Sequence, residues 1–346
     1  MIEQTPALEK LKLKLQRANE IISNIATTEK YITPVTPDDH QLFEDFFAKE
    51  ERHTYGNSWI YVTQGVCGIG PHNLGYKYYD GENLCMLGIS PKIEYPEIIM
   101  LYWIRPLGAH ILEAIVDYAE RIRKKYGIAS YVKKIFPDQF DFLLQKGFKS
   151  SKEFPWHSVS HSEDDTYPEL ILHASNILSV AKVAGKRSNL GRSFRESNKL
   201  ASRHSIVTTA IDFEKHAWMV AKQYFENYFL NRKKNFSCEW DYYNTIFNNS
   251  QRPDLVHNVV QVDSVPSGFY VLEQRKDTDT ANLHAMLVLK NVYRYLPDWI
   301  LLKILEHGFK HINLGGSEDS GIHNFKLKYK PEINQVMHWA TNYVSE

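Results

Sequence analysis

The sequence predicts an α/β (α+β) chain built as two modules in tandem, and three observations carry that expectation. A length of 346 residues suits two domains at roughly 100–200 residues each. Apolar runs of period two alternate with runs at helical spacing, and the order helix, strands, helix, strand, helix occurs in both halves. A hydrophobic content of 43% against 24% charged residues supplies enough apolar material for cores. No residue identity at a fixed period accompanies the repeat, which is therefore one of element order.

Along residues 6–26, Leu8, Leu11, Leu15, Ile22 and Ile25 fall at helical spacing with Lys and Arg between them, predicting an amphipathic helix that packs on the body of the protein. Thr36, Pro37, Asp38 and Asp39 supply cap residues and a first-turn proline to a second helix carrying Leu42, Phe43, Phe46 and Phe47. Strands are expected at 59–66, 74–79, 84–89 and 98–104, with a turn at Asp80 and Gly81. A long helix follows over 111–126 and ends at Gly127; then come a strand at 129–135 and a helix at 137–146 stopped by Gly147. The polar, acidic, proline-terminated stretch 160–168 reads as a linker.

Helical stretches are expected at 172–200, 212–230 and 240–247, then strands at 257–262, 268–274 and 282–289, a helix at 297–307 and a strand at 311–314. The resulting division is an N-terminal helix at 1–30, a first module at 31–162 and a second at 163–346.

Forty-one Lys and Arg balance 41 Asp and Glu, which excludes a generally basic nucleic-acid coat and leaves only a local basic face. Cys67, Cys85 and Cys238 are odd in number and widely separated, fitting free thiols in a reducing, cytoplasmic compartment. Neither a transmembrane run nor a signal peptide is read from the sequence. There is no His-Glu-x-x-His, Cys-x-x-Cys, Gly-x-Ser-x-Gly or Walker-type lysine, so zinc, serine-hydrolase and nucleotide-hydrolysis chemistries have no motif, and no metal is expected.

The segment Gly65–Gly70 carries glycines, but Pro71 and His72 follow where a phosphate loop would open a helix, and it reads as a strand-to-turn connection. Arg105, Gly108 and His110 stand at a strand end before a helix, where free backbone N–H groups suit a pyrophosphate, although a plain turn fits as well. The densest basic cluster contains Lys186, Arg187, Arg192 and Arg195 around Asn189, suiting phosphate oxygens or a solvated helix face. Phe225, Tyr228 and Phe229 lie in a basic, aromatic run that meets RNA or, as the favoured reading, packs a helix core. The strongest local signal is 313–331. There Gly315 and Gly316 let backbone approach a ligand, Ser317, Glu318 and Asp319 stand at a strand's carboxyl end, and Lys326 follows on the next helix. A carboxylate and a lysine converging on one cleft suit proton transfer and oxyanion stabilisation; a helix cap followed by solvent lysines is the simpler alternative.

The repeated order, the segment 140–148 that ends the first copy, and the segments 185–189 and 313–331 together resemble tandem acyltransferase modules of the GNAT (Gcn5-related N-acetyltransferase) fold. The chain is similar to the soluble C-terminal domain of phosphatidylglycerol lysyltransferases and, in plan, to the Fem-type aminoacyltransferases. That resemblance implies two GNAT-like modules, each a mixed sheet flanked by helices, facing a cleft, with an aminoacyl-tRNA donor and no required cofactor. It carries over Arg187, Asn189 and Arg192 as substrate-binding residues near the cleft and Lys326 as a contact to the tRNA end or the aminoacyl group. Gly315, Gly316, Ser317 and Lys328 join the substrate-binding set, and Glu318 and Asp319 join Lys326 as catalytic. The chain lacks the membrane-embedded half that supplies lipid, and residues 290–297 carry no glycine where a coenzyme A enzyme has its pyrophosphate loop. Transfer of an aminoacyl group from charged tRNA to an amine or hydroxyl is therefore expected. The alternatives are an acyl-CoA N-acyltransferase using Arg105, Gly108 and His110, and a catalytically inactive binding module.

Overall fold

The structure, a computed structural model, describes residues 6–64, 75–91, 98–154, 167–182, 188–230, 237–275, 278–289, 293–317 and 320–344. It divides into two compact units, Met1–Pro168 with Gly316–Ser320 and Val336–Glu346, and Glu169–Gly315 with Gly321–Gln335. The expected boundary at 162/163, most of the expected linker and the Gly65–Gly70 loop lie outside the described residues. No helix among those described is long and apolar enough to cross a membrane.

In the first unit, α1 (Pro6–Thr28) turns Ala18, Ile22 and Ile25 into the core, as expected for the end of the apolar stripe, while the side chains of Leu8, Leu11 and Leu15 lie outside the described residues. It is followed by β1 (Ile32–Pro34), α2 (His40–Lys49) and α3 (Trp59–Gln64). The strand expected at 59–66 is thus a helix in its described part. Trp59, Ile60, Tyr61 and Val62 have strand-like side chains, but Ser58 Oγ accepts the Tyr61 N–H at 3.0 Å, and that local cap outweighs propensity.

The meander forms as expected: β2 (Tyr76–Tyr79), β3 (Leu84–Pro91) and β4 (Ile99–Leu107) pair antiparallel in succession. Asp80 builds the first turn, its carboxylate accepting the N–H groups of Glu82 and Asn83. Helix α4 (Ile111–Tyr126) buries Ile111, Ile115, Tyr118, Ala119 and Ile122, each large apolar side chain contributing about 1.5–3 kcal/mol. Gly127 ends it in the left-handed region at φ 68°. Strand β5 (Ala129–Ile135) then lies parallel to β4, followed by α5 (Pro137–Gln145) and β6 (Lys149–Ser150). The last strand of the chain, His338–Thr341, enters this sheet between β5 and β6, giving seven strands of which only the β4/β5 pair is parallel.

The second unit opens with β7 (Glu169–His173), α6 (Ala174–Lys182) and α7 (Asn189–Arg203). The start of the expected helical stretch at 172 is therefore strand. Leu170 and Leu172 are fully buried, and so short an apolar run adjoining a helix carries no distinctive period. The unit continues with β8 (Ile206–Thr209), α8 (Phe213–Leu230), α9 (Ser237–Asn248), β9 (Leu255–Val262), β10 (Val265–Gln274) and β11 (Thr280–Val288). Helix α10 (Leu296–Leu305), β12 (His311–Asn313), α11 (Ser320–Leu327) and β13 (Ile333–Gln335) complete it.

Its sheet runs β13-β7-β12-β11-β10-β9-β8, with β11 and β12 parallel. One core joins Leu172, Tyr270, Leu272, Ala281 and Ile312 to Leu190 and Phe194 of α7 and Ile300 and Ile304 of α10. Elsewhere Phe213 and Phe225 of α8 and Tyr243 and Phe247 of α9 form ring contacts in a cluster that includes Phe269. Phe225 is thus core, as expected, while the side chains of Tyr228 and Phe229 lie outside the described residues.

Candidate active site in the second unit

The parallel pair β11/β12 holds register at Thr280 with His311, Ala281 with Ile312, and Asn282 with Asn313. Strand β12 ends there while β11 runs on to Val288. Carboxyl ends of parallel strands are where open α/β sheets take ligands.

Asn313 organises the chain beyond that point. Its buried amide donates to Glu169 Oε2 at 3.2 Å and accepts the Gly315 N–H at 2.8 Å. Gly315 adopts φ 66°, which a glycine takes at little cost. The Gly315 carbonyl accepts from the Leu170 N–H at 3.3 Å and from Lys326 Nζ at 3.4 Å. The glycine segment and the lysine expected to serve the same site are thereby brought together. Glu169, fully buried, also accepts from Gln335 at 3.4 Å.

Helix α11, which carries Lys326, has no fully buried side chain. His323 and Lys326 are half-buried, whereas Ile322, Phe325 and Leu327 are 38–39% exposed. Burial, and then the charge of Lys326, hold the His323 imidazole below its ordinary pKa, so its neutral form is favoured.

A second polar group crosses β10 and β11. Glu273 faces Asn282 across the ladder, and its carboxylate receives Arg252 at 2.9 Å and His284 Nε2 at 2.9 Å, with Arg252 also held by Asp254. Sequence reasoning passed over these residues, although Glu273 and His284 interrupt otherwise apolar strands, which is the signal a buried network leaves.

No family model and no curated protein matches the chain. Solved structures do. FemX superposes with a TM-score of 0.59 at 11% identity, covering 90% of this chain and 97% of its own. The C-terminal domain of a putative lysylphosphatidylglycerol synthetase from Agrobacterium fabrum gives 0.56 at 12% identity, covering 96% and 92%. A tandem GNAT protein from the clavulanic acid biosynthesis pathway gives 0.50 at 11% identity, covering 91% and 99%. The chain has the tandem GNAT fold. At these identities the likeness is one of fold, matching the resemblance read from the sequence.

In the second GNAT-like unit, Asn189 and Arg192 lie exposed in the first turn of α7, capped by Ser188 Oγ on the Gly191 N–H at 3.0 Å. Arg187, Glu318 and Asp319 lie outside the described residues. Gly316, half-buried, and Ser317, 2% exposed, are grouped with the first unit. Lys328 is committed elsewhere: its Nζ is 2.5 Å from Oδ1 of the buried Asp298 on α10. Burial, and then Asp298, push the phenol of the adjacent Tyr329 well above its ordinary value.

In the first GNAT-like unit, Arg105 lies near the end of β4, and Gly108 and His110 stand between β4 and α4. Arg105 is fully buried at φ 53°, donating to Asn57 Oδ1 at 2.6 Å and Glu50 Oε2 at 2.9 Å. Gly108 has φ 106°, and a Cβ there would sit 2.6 Å from the Glu82 carbonyl oxygen. The His110 N–H donates to Asn83 Oδ1 at 3.0 Å, while its side chain is exposed. These contacts all lie within the first unit, which sequence position near a strand end does not reveal.

Proposed function

We propose that the protein is an acyl-transfer enzyme that moves an aminoacyl group from charged tRNA to an amine or hydroxyl acceptor. The observation that carries this reading is the Lys326 ammonium held at the Gly315 carbonyl, beside the end of the parallel pair β11/β12. Attack on an ester carbonyl puts negative charge on its oxygen, and a half-buried cation next to a glycine-bearing segment suits its stabilisation. Arg187, Asn189 and Arg192 would take the donor's phosphates, and a general base would assist proton removal.

The similarity to a putative lysylphosphatidylglycerol synthetase and to FemX supports an aminoacyl donor. An acyl-CoA donor at Arg105, Gly108 and His110 is disfavoured because the guanidinium is occupied by Glu50 and Asn57. A cytoplasmic location accords with a charged-tRNA donor.

The test uses the full chain with total charged tRNA, acetyl-CoA and a longer acyl-CoA at low and moderate salt. Salt-sensitive retention of tRNA with loss of its aminoacyl group, abolished by Lys326→Ala in a folded protein, supports the reading. Stabilisation by a coenzyme A thioester alone overturns it.

A further inference from the structure

Lys326 supplies a positive charge, and transfer also needs a group that takes the acceptor's proton. On the basis of the function proposed above, we propose that His323 is that group. It precedes Lys326 by three positions, which places both on one face of α11. They are the half-buried side chains of the helix, on the face turned toward the protein, while Ile322, Phe325 and Leu327 are left exposed. A short helix normally buries its apolar side chains and leaves histidine and lysine in water. Here His323 and Lys326 are more covered than Ile322, Phe325 and Leu327, which sets the pair on the covered face of the helix.

The pair is matched to its task. A base must be unprotonated before the reaction, and burial together with the nearby Lys326 charge disfavours the imidazolium. The Lys326 charge acts on His323 in that balance. As an acceptor amine attacks the ester carbonyl carbon, a C–N bond forms and the nitrogen becomes cationic. His323 accepts the nitrogen's proton while Lys326 faces the oxyanion. Collapse breaks the bond from carbon to the donor's ester oxygen, and the imidazolium, destabilised by Lys326, returns the same proton to that leaving oxygen. The products are an amide and a free hydroxyl, and the imidazole is again neutral.

The experiment compares wild type, His323→Asn and His323→Gln in transfer from charged tRNA, with tRNA retention as the measure of donor binding. We expect kcat to fall by about a hundredfold with KM and retention little changed, and added imidazole to restore part of the rate. The acidic limb of the kcat/KM pH profile should disappear in both variants. Unchanged kcat, or a loss shared by retention and not rescued by imidazole, overturns the assignment.

A second measurement does not depend on turnover: the His323 ring resonances, titrated by NMR, should shift to a higher midpoint in Lys326→Gln. An unchanged midpoint overturns the coupling of the pair. If the wild type transfers nothing from any charged tRNA, the proposed function fails, and the catalytic assignment with it; if it transfers and His323→Asn transfers equally well, only the role of His323 fails.

Discussion

Lys328 and Asp298 are joined across thirty residues: the lysine Nζ lies 2.5 Å from Oδ1 of a carboxylate that is 1% exposed. This pair ties the chain just after α11 to the first turn of α10. Asp298→Ala leaves the lysine and the Tyr329 phenol without that carboxylate. We expect a loss of about 1–3 kcal/mol, below the range for a fully buried pair because Lys328 is partly solvated. Chemical denaturation checks the stability, and a reduced rate of transfer would report displacement of the neighbouring Lys326.

Arg105 should behave as a structural cation. Arg105→Ala strands Glu50 and Asn57, and because the guanidinium is fully buried we expect a loss of about 3–5 kcal/mol. Thermal melts of Arg105→Ala and Arg105→Lys measure this directly. Coenzyme A should leave the wild-type melting temperature unmoved, and a clear stabilisation that vanishes in Arg105→Lys would return the loop to ligand binding.

Two glycines separate backbone strain from crowding. Gly81 at φ 104° has nothing within 4 Å of a built Cβ, whereas Gly108 at φ 106° has the Glu82 carbonyl oxygen at 2.6 Å. Gly81→Ala is expected to cost about 1 kcal/mol, the conformational penalty alone. Gly108→Ala should cost clearly more, because backbone must move, and paired urea titrations give the comparison.

The second unit should weaken in mild acid. His257, His307 and His323 are all held below the ordinary imidazole value of 6.5, in each case first by burial. The unfolded chain therefore binds more protons over this range, so the stability is intact above pH 6.5 and is lost as pH falls toward the folded values. Melting temperatures from pH 7.5 down to pH 5 should drop, and His257→Gln should flatten that dependence. A flat wild-type profile would contradict the burial of these rings.

Much of the architecture was legible because local physics states it. The 111–126 and 129–135 expectations coincide with α4 and β5, since a long amphipathic period, a stop glycine and the strand-forming residues Tyr131, Val132 and Ile135 each act over neighbouring residues. The short strands β1, β8, β13 and His338–Thr341 were missed because runs of three or four residues seldom carry a readable period, although β2 and β12, equally short, were read. At the site, glycines and a following lysine marked the 313–331 segment. The hidden members were Glu169, Glu273 and His284, whose polar character is explained only by partners far along the chain.

The sequence by itself determined two α/β modules and the segment that bears Lys326, because period, caps and glycines are properties of adjacent residues. Tertiary structure decided which cation does what. Arg105 met Glu50, Lys328 met Asp298, and Lys326 met the Gly315 carbonyl, although all three looked alike as charges near a loop. The physical reason is that an ionic group's role is set by the burial and the partner it finds on folding, and strand pairing fixes both across distances that no local pattern encodes.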